Sequence, residues 1–354
     1  MSRIIFFFLF LVILANSVTG QKDTIDIHYG MADPLHRASG LFDSEELIEL
    51  TLQFDISTFQ KKKSADEYLP ALLTCHLNEN DSVNNTIMLR ARGNTRKTIC
   101  SFPPIRLNFK KSDSPDDEFA GIDKLKMVTH CDPGNQDYTL KEYLAYKLYN
   151  VLTDYSYKVR LARIKYVNTA RKNKAFTEYA FFIEPAEMLC KRLNAVEVEN
   201  IKLTQRNILP EVMDQMAIFN YMIGNTDWSV PIYHNITVLY QALGENSNLG
   251  IIIPYDFDYS GLINTSYALP YEGLRIKSVL ERQYLGICRS RDVYSTRLKV
   301  FPEKKEEFIR VIKEFPYMKE KTKKEMISYL ETFFREMDKP NIILQKFLAD
   351  CITL

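Results

Sequence analysis

The stretch Ile223-Gly224-Asn225-Thr226-Asp227-Trp228 ends an apolar, helically spaced run on a turn. Tyr233-His234-Asn235 follows, and Pro254-Tyr255-Asp256-Phe257-Asp258 closes a short hydrophobic run. An Asp, an Asn some residues later and a second Asp at a strand end make up the acidic set that phosphoryl transfer uses. One carboxylate orients the attacking hydroxyl, while an amide and another carboxylate hold magnesium against nucleotide phosphates.

Working outward, apolar residues alternate with polar ones at Ile48, Leu50, Leu52 and Phe54, at Ile87, Leu89 and Ala91, and at Ile105, Leu107 and Phe109. Such alternation predicts half-buried strands of an antiparallel sheet. The polar turn Arg92-Gly93-Asn94-Thr95-Arg96 lies between the second and third. Helical spacing begins at Thr139, with Asp137 or Thr139 as cap. Strands follow over 159–167 and 177–183, stopped at Glu184-Pro185. Beyond Pro185 the pattern is mainly helical: 211–223, a hairpin over 237–240 and 249–254, helices over 302–315 and 319–337, and a last segment ending at Cys351. This order predicts an α+β, protein-kinase-like two-lobed fold. Its N-lobe, residues 45–184, is an antiparallel sheet with one helix, and its C-lobe, residues 185–354, is mainly helical and carries the acids.

The amino terminus has the form of a cleaved secretory signal over residues 1–20, with Arg3 before an apolar run from Ile4 to Ala15. The run is much shorter than the roughly 20 residues of a membrane span. A secreted or periplasmic protein with an N-terminal extension over 21–44 and no stable membrane span is expected. With 46 basic against 45 acidic residues, nothing points to nucleic acid as a partner. Cys75, Cys100, Cys131, Cys190, Cys288 and Cys351 permit disulfides in such a chain. Their wide spacing offers no paired zinc set, and buried thiols are the alternative.

Arg92-Gly93-Asn94-Thr95, followed by Phe102-Pro103-Pro104-Ile105-Arg106-Leu107-Asn108-Phe109, resembles the RGNS/T and Pro-Lys strand signature of the spore-coat CotH kinase-like family. Residues 121–127, 137–148 and 179–184 resemble that family's next strand, its helix and its strand ending in Glu. Asn225-Thr226-Asp227 and Asp256-Phe257-Asp258 resemble its N-x-D and D-[FL]-D motifs. The likeness runs in motif order over 89–258. It implies an atypical kinase fold, ATP with Mg2+ or Mn2+, and phosphate transfer to a hydroxyl of an exported protein substrate. On that resemblance Asp227 is the base, Asp256 the principal metal ligand, Asn235 the second and Asp258 a further candidate. Arg92 and Asn94 form a donor-rich turn over the phosphates. Glu184 sits where the adenine edge meets the backbone, and Glu142 pairs with a phosphate-binding cation.

The pattern departs at Pro104, where relatives carry Lys. Arg106 and Lys110 are the nearest cations, and the sequence does not choose between them. Trp228 stands where many relatives have Arg or Lys, and the gap from Asp227 to Asn235 exceeds the usual kinase spacing.

Plain alternatives stand beside each role. Asp227 can close a turn, Asp258 can cap the segment after it, Arg92 can lie in a surface ion pair, Glu142 can be an exposed helix charge, and His234 and Trp228 can simply pack. At the level of the whole protein, the alternative is a catalytically silent kinase-fold pseudoenzyme that binds proteins or surface glycans. A metal-dependent hydrolase would share the acids but lacks the His-rich clusters usual in such sites.

Overall fold

Alternation over the first strand pattern builds β1 (Ile48–Phe54), with Ile48, Leu50, Leu52 and Phe54 buried and Glu49 exposed. The computed structural model describes residues 40–78, 80–109, 118–172, 174–241 and 248–353. These belong to one unit spanning Pro34–Leu354. The expected signal segment and most of the 21–44 extension lie outside the described residues, as does Lys110.

From β1 the chain passes through α1 (Ile56–Lys61), whose cap Asp55 accepts from the Thr58 N–H at 2.9 Å. It then forms β2 (Leu69–His76), β3 (Ser82–Ala91), α2 (Thr95–Ile99), β4 (Ile105–Phe109) and β5 (Lys124–Val128). Next, α3 (Gln136–Leu152) leads to β6 (Val159–Asn168) and β7 (Lys174–Ile183). The strands run β1-β2-β3-β4-β5-β7-β6 and close on themselves. The closure is a parallel pairing of β6 with β1, from Ile48 opposite Ala162 to Phe54 opposite Asn168.

This corrects the expected kinase-like two-lobed α+β fold with an antiparallel N-lobe sheet and one helix. The structure has a closed seven-stranded barrel, with three helices between its strands among the described residues. Alternation reports one buried face, which an open sheet and a barrel share. Whether the edges of β1 and β6 meet depends on twist and register, to which alternation is blind. Inside the barrel Leu50, Leu52, Leu73, Leu89, Leu107, Met127, Ile164 and Phe182 make the core. Burying each stabilises the fold by about 1.5–3 kcal/mol.

The second half starts at Pro185 with α4 (Ala186–Leu193), followed by β8 (Ala195–Glu197) and α5 (Pro210–Ile223). A sheet in the order β10-β9-β8 is completed by the hairpin β9 (Ile236–Gln241) and β10 (Ile251–Pro254). Four helices end the chain: α6 (Arg291–Leu298), α7 (Val300–Lys313), α8 (Glu320–Met337) and α9 (Pro340–Asp350). Eleven of the fourteen residues of α5 are buried, as fits a helix surrounded by protein rather than facing solvent on one side. The helix α3 packs against β6, β7 and α7, and so joins barrel to helices. It begins earlier than its expected caps: Thr139 lies inside it and donates to the Thr129 carbonyl at 3.0 Å, while Asp137 accepts from Thr322 at 3.0 Å.

Four cysteines pair, Cys100 with Cys131 and Cys288 with Cys351, while Cys75 and Cys190 remain thiols. No helix among the described residues is long and apolar enough to cross a membrane.

At one end of the barrel His130 is buried and stacks on Phe102, ring centroids 4.9 Å apart, with Tyr166 and Phe176 close by. Its Nδ1 has no hydrogen-bond partner among the described residues. Burial pushes the imidazole down to about 4. The unfolded chain takes up this proton near pH 6.5 while the folded one refuses it. Stability present above that pH is therefore lost as pH falls from about 6.5 to about 4, by roughly 3 kcal/mol. Urea unfolding at pH 7 and pH 4.5 should show the loss, and His130→Phe, which keeps a stacked ring without the base, should shrink it. An equal loss in both proteins would remove His130 as its source.

Candidate functional site

The helix α5 ends at Gly224, whose φ of 66° is the left-handed conformation. A Cβ there would stand 2.1 Å from the Tyr329 hydroxyl, so the turn needs glycine. Asn225, buried, donates through Nδ2 to Asn220 Oδ1 at 2.9 Å and accepts the Asp227 N–H on its own Oδ1 at 3.0 Å. Asp227 is thus aimed by its neighbour. Its Oδ1 meets His234 Nε2 at 2.7 Å, and its Oδ2 accepts from Asn235 Nδ2 at 2.9 Å. The same Nδ2 donates to the Asp227 carbonyl at 2.8 Å. Ser229 and His234 exchange backbone hydrogen bonds of 3.0 and 2.9 Å, folding the intervening loop back on itself. The long gap from Asp227 to Asn235 is closed in this way. His234 does more than pack, while Trp228 is buried as a packing residue.

The second acid follows β10. Asp256 takes a φ of 62° and donates its N–H to Tyr146 Oη at 2.8 Å. Its carboxylate meets the guanidinium of Arg96 in α2. Arg96 also forks onto Glu142 of α3 at 2.9 and 3.2 Å and lies 3.2 Å from Asp258 Oδ2. Glu142 and Tyr146, one helical turn apart, project from the same face of α3. One guanidinium therefore stands among three carboxylates, with Arg96, Glu142 and Asp258 all buried. Burial pushes the Asp258 carboxyl well up and the Glu142 carboxyl up. For Asp256 burial acts the same way, but Arg96 and Arg92 outweigh it and leave the group below the ordinary aspartate value. Asp258 also accepts from the Tyr267 hydroxyl at 2.9 Å and holds Thr265 through its carbonyl at 3.1 Å.

A row of cations crosses three strands. In register, Arg90 of β3 faces Arg106 of β4, and Arg106 faces Lys126 of β5. Like charges directly opposite one another are destabilising. Asp66 answers Arg90. Burial first, then Arg92 and Arg106, lowers the Lys126 ammonium to about 8. Arg92, just past β3, is half-buried and makes no ion pair within 4 Å among the described residues. Such a crowd of cations raises the local concentration of anions.

Arg92, Asn94, Arg96, Asp227, His234, Asn235, Asp256 and Asp258 line one cleft of about 310 Å³, with Leu269 and Tyr271 also on its wall. Arg106 and Lys126 line a second cavity of about 270 Å³, which also includes Pro185, Ala186, Glu187 and Met188. Glu184 faces neither. Its carboxylate accepts from Arg192 at 3.0 and 2.9 Å and from the Lys158 N–H at 3.0 Å, which clamps β7 to β6 and α4.

Among the described residues no three His, Cys, Asp or Glu side chains gather as a dedicated metal cage. Mg2+ commonly needs only one or two carboxylates when substrate phosphates complete its shell. Half-buried Asp256 and the Asn235 side-chain oxygen suit that donor set. Asp258, engaged by Arg96 and Tyr267, is less available.

Arg96 and Lys126 were not singled out from the sequence. The signal for Arg96 was its place at the end of the quoted turn; Lys126 carried none, because its place beside Arg106 comes from strand pairing. No protein-family model matches the chain, and no curated protein matches it. One solved structure, the crystal structure of a Helicobacter pylori proinflammatory kinase CtkA, is 13% identical over 77% of this chain and 96% of that chain, with a TM-score of 0.40. At that score the likeness carries no argument, and the spore-coat family resemblance rests on its motifs.

Removing Arg96 leaves buried carboxylates uncompensated. Arg96→Met should lower unfolding stability by about 3–5 kcal/mol, read as a reduced urea midpoint. Adding Glu142→Gln to that variant should restore part of the loss. No recovery would show that the pair is not coupled.

Proposed function

We propose that the protein transfers the terminal phosphate of ATP to a hydroxyl of an exported protein substrate, with Mg2+ or Mn2+. The observation that carries this reading is the convergence of Asp227, Asp256 and the Arg92-to-Arg96 turn on one cleft. Asp227 orients the acceptor hydroxyl and takes its proton, held in place by Asn225, His234 and Asn235. Asp256 and Asn235 would hold the metal ion, which when bound neutralises charge on the phosphates. Arg92 faces the phosphates from the cleft, and the cavity beside Pro185, lined by Arg106 and Lys126, receives the rest of the nucleotide. The two disulfides support a secreted or periplasmic location.

A second reading, a protein- or glycan-binding module without transfer, is favoured by one contact: Arg96 already occupies the Asp256 carboxylate.

A ligand that binds only the folded state raises the melting temperature. Millimolar ATP with Mg2+ or Mn2+ should do so here, and an unchanged melting point selects the binding module. Asp256→Asn should abolish both the shift and transfer of label. Asp227→Asn should keep the shift and lower kcat by about 10²–10⁴-fold.

Because Lys126 loses its proton near pH 8, ATP affinity should fall as pH rises from about 7 to about 9. Lys126→Met should bind ATP more weakly at pH 7 and lack this decline. A variant whose affinity still declines in parallel would clear Lys126 of the role.

A further inference from the structure

The acceptor side of the cleft already holds a hydroxyl. Tyr271 Oη lies 3.2 Å from His234 Nε2, the nitrogen that itself stands 2.7 Å from Asp227 Oδ1. The ring meets His234 edge to face, centroids 6.2 Å apart. Tyr271 is 54% exposed, so its ring stands in solvent at the cleft while its oxygen reaches His234 beside Asp227. The segment bearing it is anchored four residues earlier, where Tyr267 donates to Asp258, and turns just after, where the Leu274 N–H bonds the Tyr271 carbonyl at 3.2 Å. Thr95 and Tyr259 also carry hydroxyls on the cleft wall, but neither is hydrogen-bonded to Asp227 or His234 among the described residues. Burial, then the Asp227 charge, keeps the Tyr271 proton on, pushing the phenol up to about 12. It therefore needs a base before it can act as a nucleophile, and Asp227 is at hand.

We propose that Tyr271 is an intramolecular phosphate acceptor, a self-modification site facing the base Asp227; this rests on the phosphotransfer reading above. In the step, the Tyr271 oxygen forms a bond to the terminal phosphorus of ATP. The bond from that phosphorus to the bridging oxygen breaks, ADP leaves with the electron pair, and the phenolic proton passes to the Asp227 carboxylate. The product carries close to two negative charges near pH 7. Asp227 repels it, so the modified side chain leaves the base after a single turnover and uncovers the acceptor position.

The test is incubation of the folded, disulfide-bonded protein with labelled ATP and Mg2+ or Mn2+, with phosphopeptides mapped by mass spectrometry and the melting shift followed in parallel. One phosphate per chain on Tyr271 is expected, at a first-order rate independent of protein concentration. Label should be lost in Tyr271→Phe, and should appear about 10²–10⁴-fold more slowly in Asp227→Asn, where the tyrosine is kept. Phosphate on other residues with Tyr271 unmodified overturns the proposal and leaves phosphotransfer standing. A rate that rises with protein concentration overturns the intramolecular route. A melting shift with no label overturns the proposal in favour of the binding module, and neither shift nor label removes the phosphotransfer reading as well.

Discussion

Arg96 is the point at which separate parts of the chain are tied together. Its guanidinium reaches Glu142 on α3, Asp256 beyond β10 and Asp258 two residues on, joining the short helix at the barrel mouth to the helical half. A guanidinium fork suits this task because it presents several donors in one plane and stays charged when buried. The cluster gathers three carboxyl groups about one buried guanidinium. Removing the cation would strand carboxylates in a poorly solvated place, which costs far more than an exposed ion pair contributes.

Around that cluster the two halves supply rigid support. The barrel sets Arg90, Arg106 and Lys126 in register on its outer face, because its inward positions are taken by Leu89, Leu107, Leu125 and Met127. The α5 turn supplies Asp227 through a chain of side-chain bonds from Asn220 to Asn225 to the Asp227 N–H. The Cys100–Cys131 bridge lies just after α2 and fastens the helix that carries Arg96 to the segment before α3. Positions that must hold a charge to within a fraction of an ångström thus rest on strands, a buried helix end and a covalent link.

Several features were legible in the chain alone. The strands at 48–54 and 105–109 follow from local alternation, since a buried face of a strand repeats every second residue, and the hairpin bearing Asp256 follows from short continuous apolar runs, buried on both faces. The end of α5 at Gly224 and the stop at Pro185 follow from backbone limits that those residue types impose. The closed barrel was not legible, because a strand pattern records which face is buried and not which edge it will meet. The burial of Glu142 was obscured for a related reason: a carboxylate on a helix reads as exposed until its partner is known, and Arg96 lies 46 residues away.

β2, α1, α4 and α6 carried no periodicity that was read, so the sequence by itself determined part of the local elements, the placing of Asp227 and Asp256 on turns that end a helix and a strand, and the donor-rich character of residues 92–96. Those are set by side-chain periodicity and by the conformations that Gly, Pro, Asn and Asp allow over a few bonds. Tertiary structure alone decided that β6 closes onto β1, that Arg96 rather than Arg92 binds the acids, that Glu184 turns to Arg192, and that Tyr271 reaches the neighbourhood of Asp227. Each of these joins groups far apart in the chain, and such contacts form only when burial and charge pairing across the whole fold offset the entropy of bringing them together.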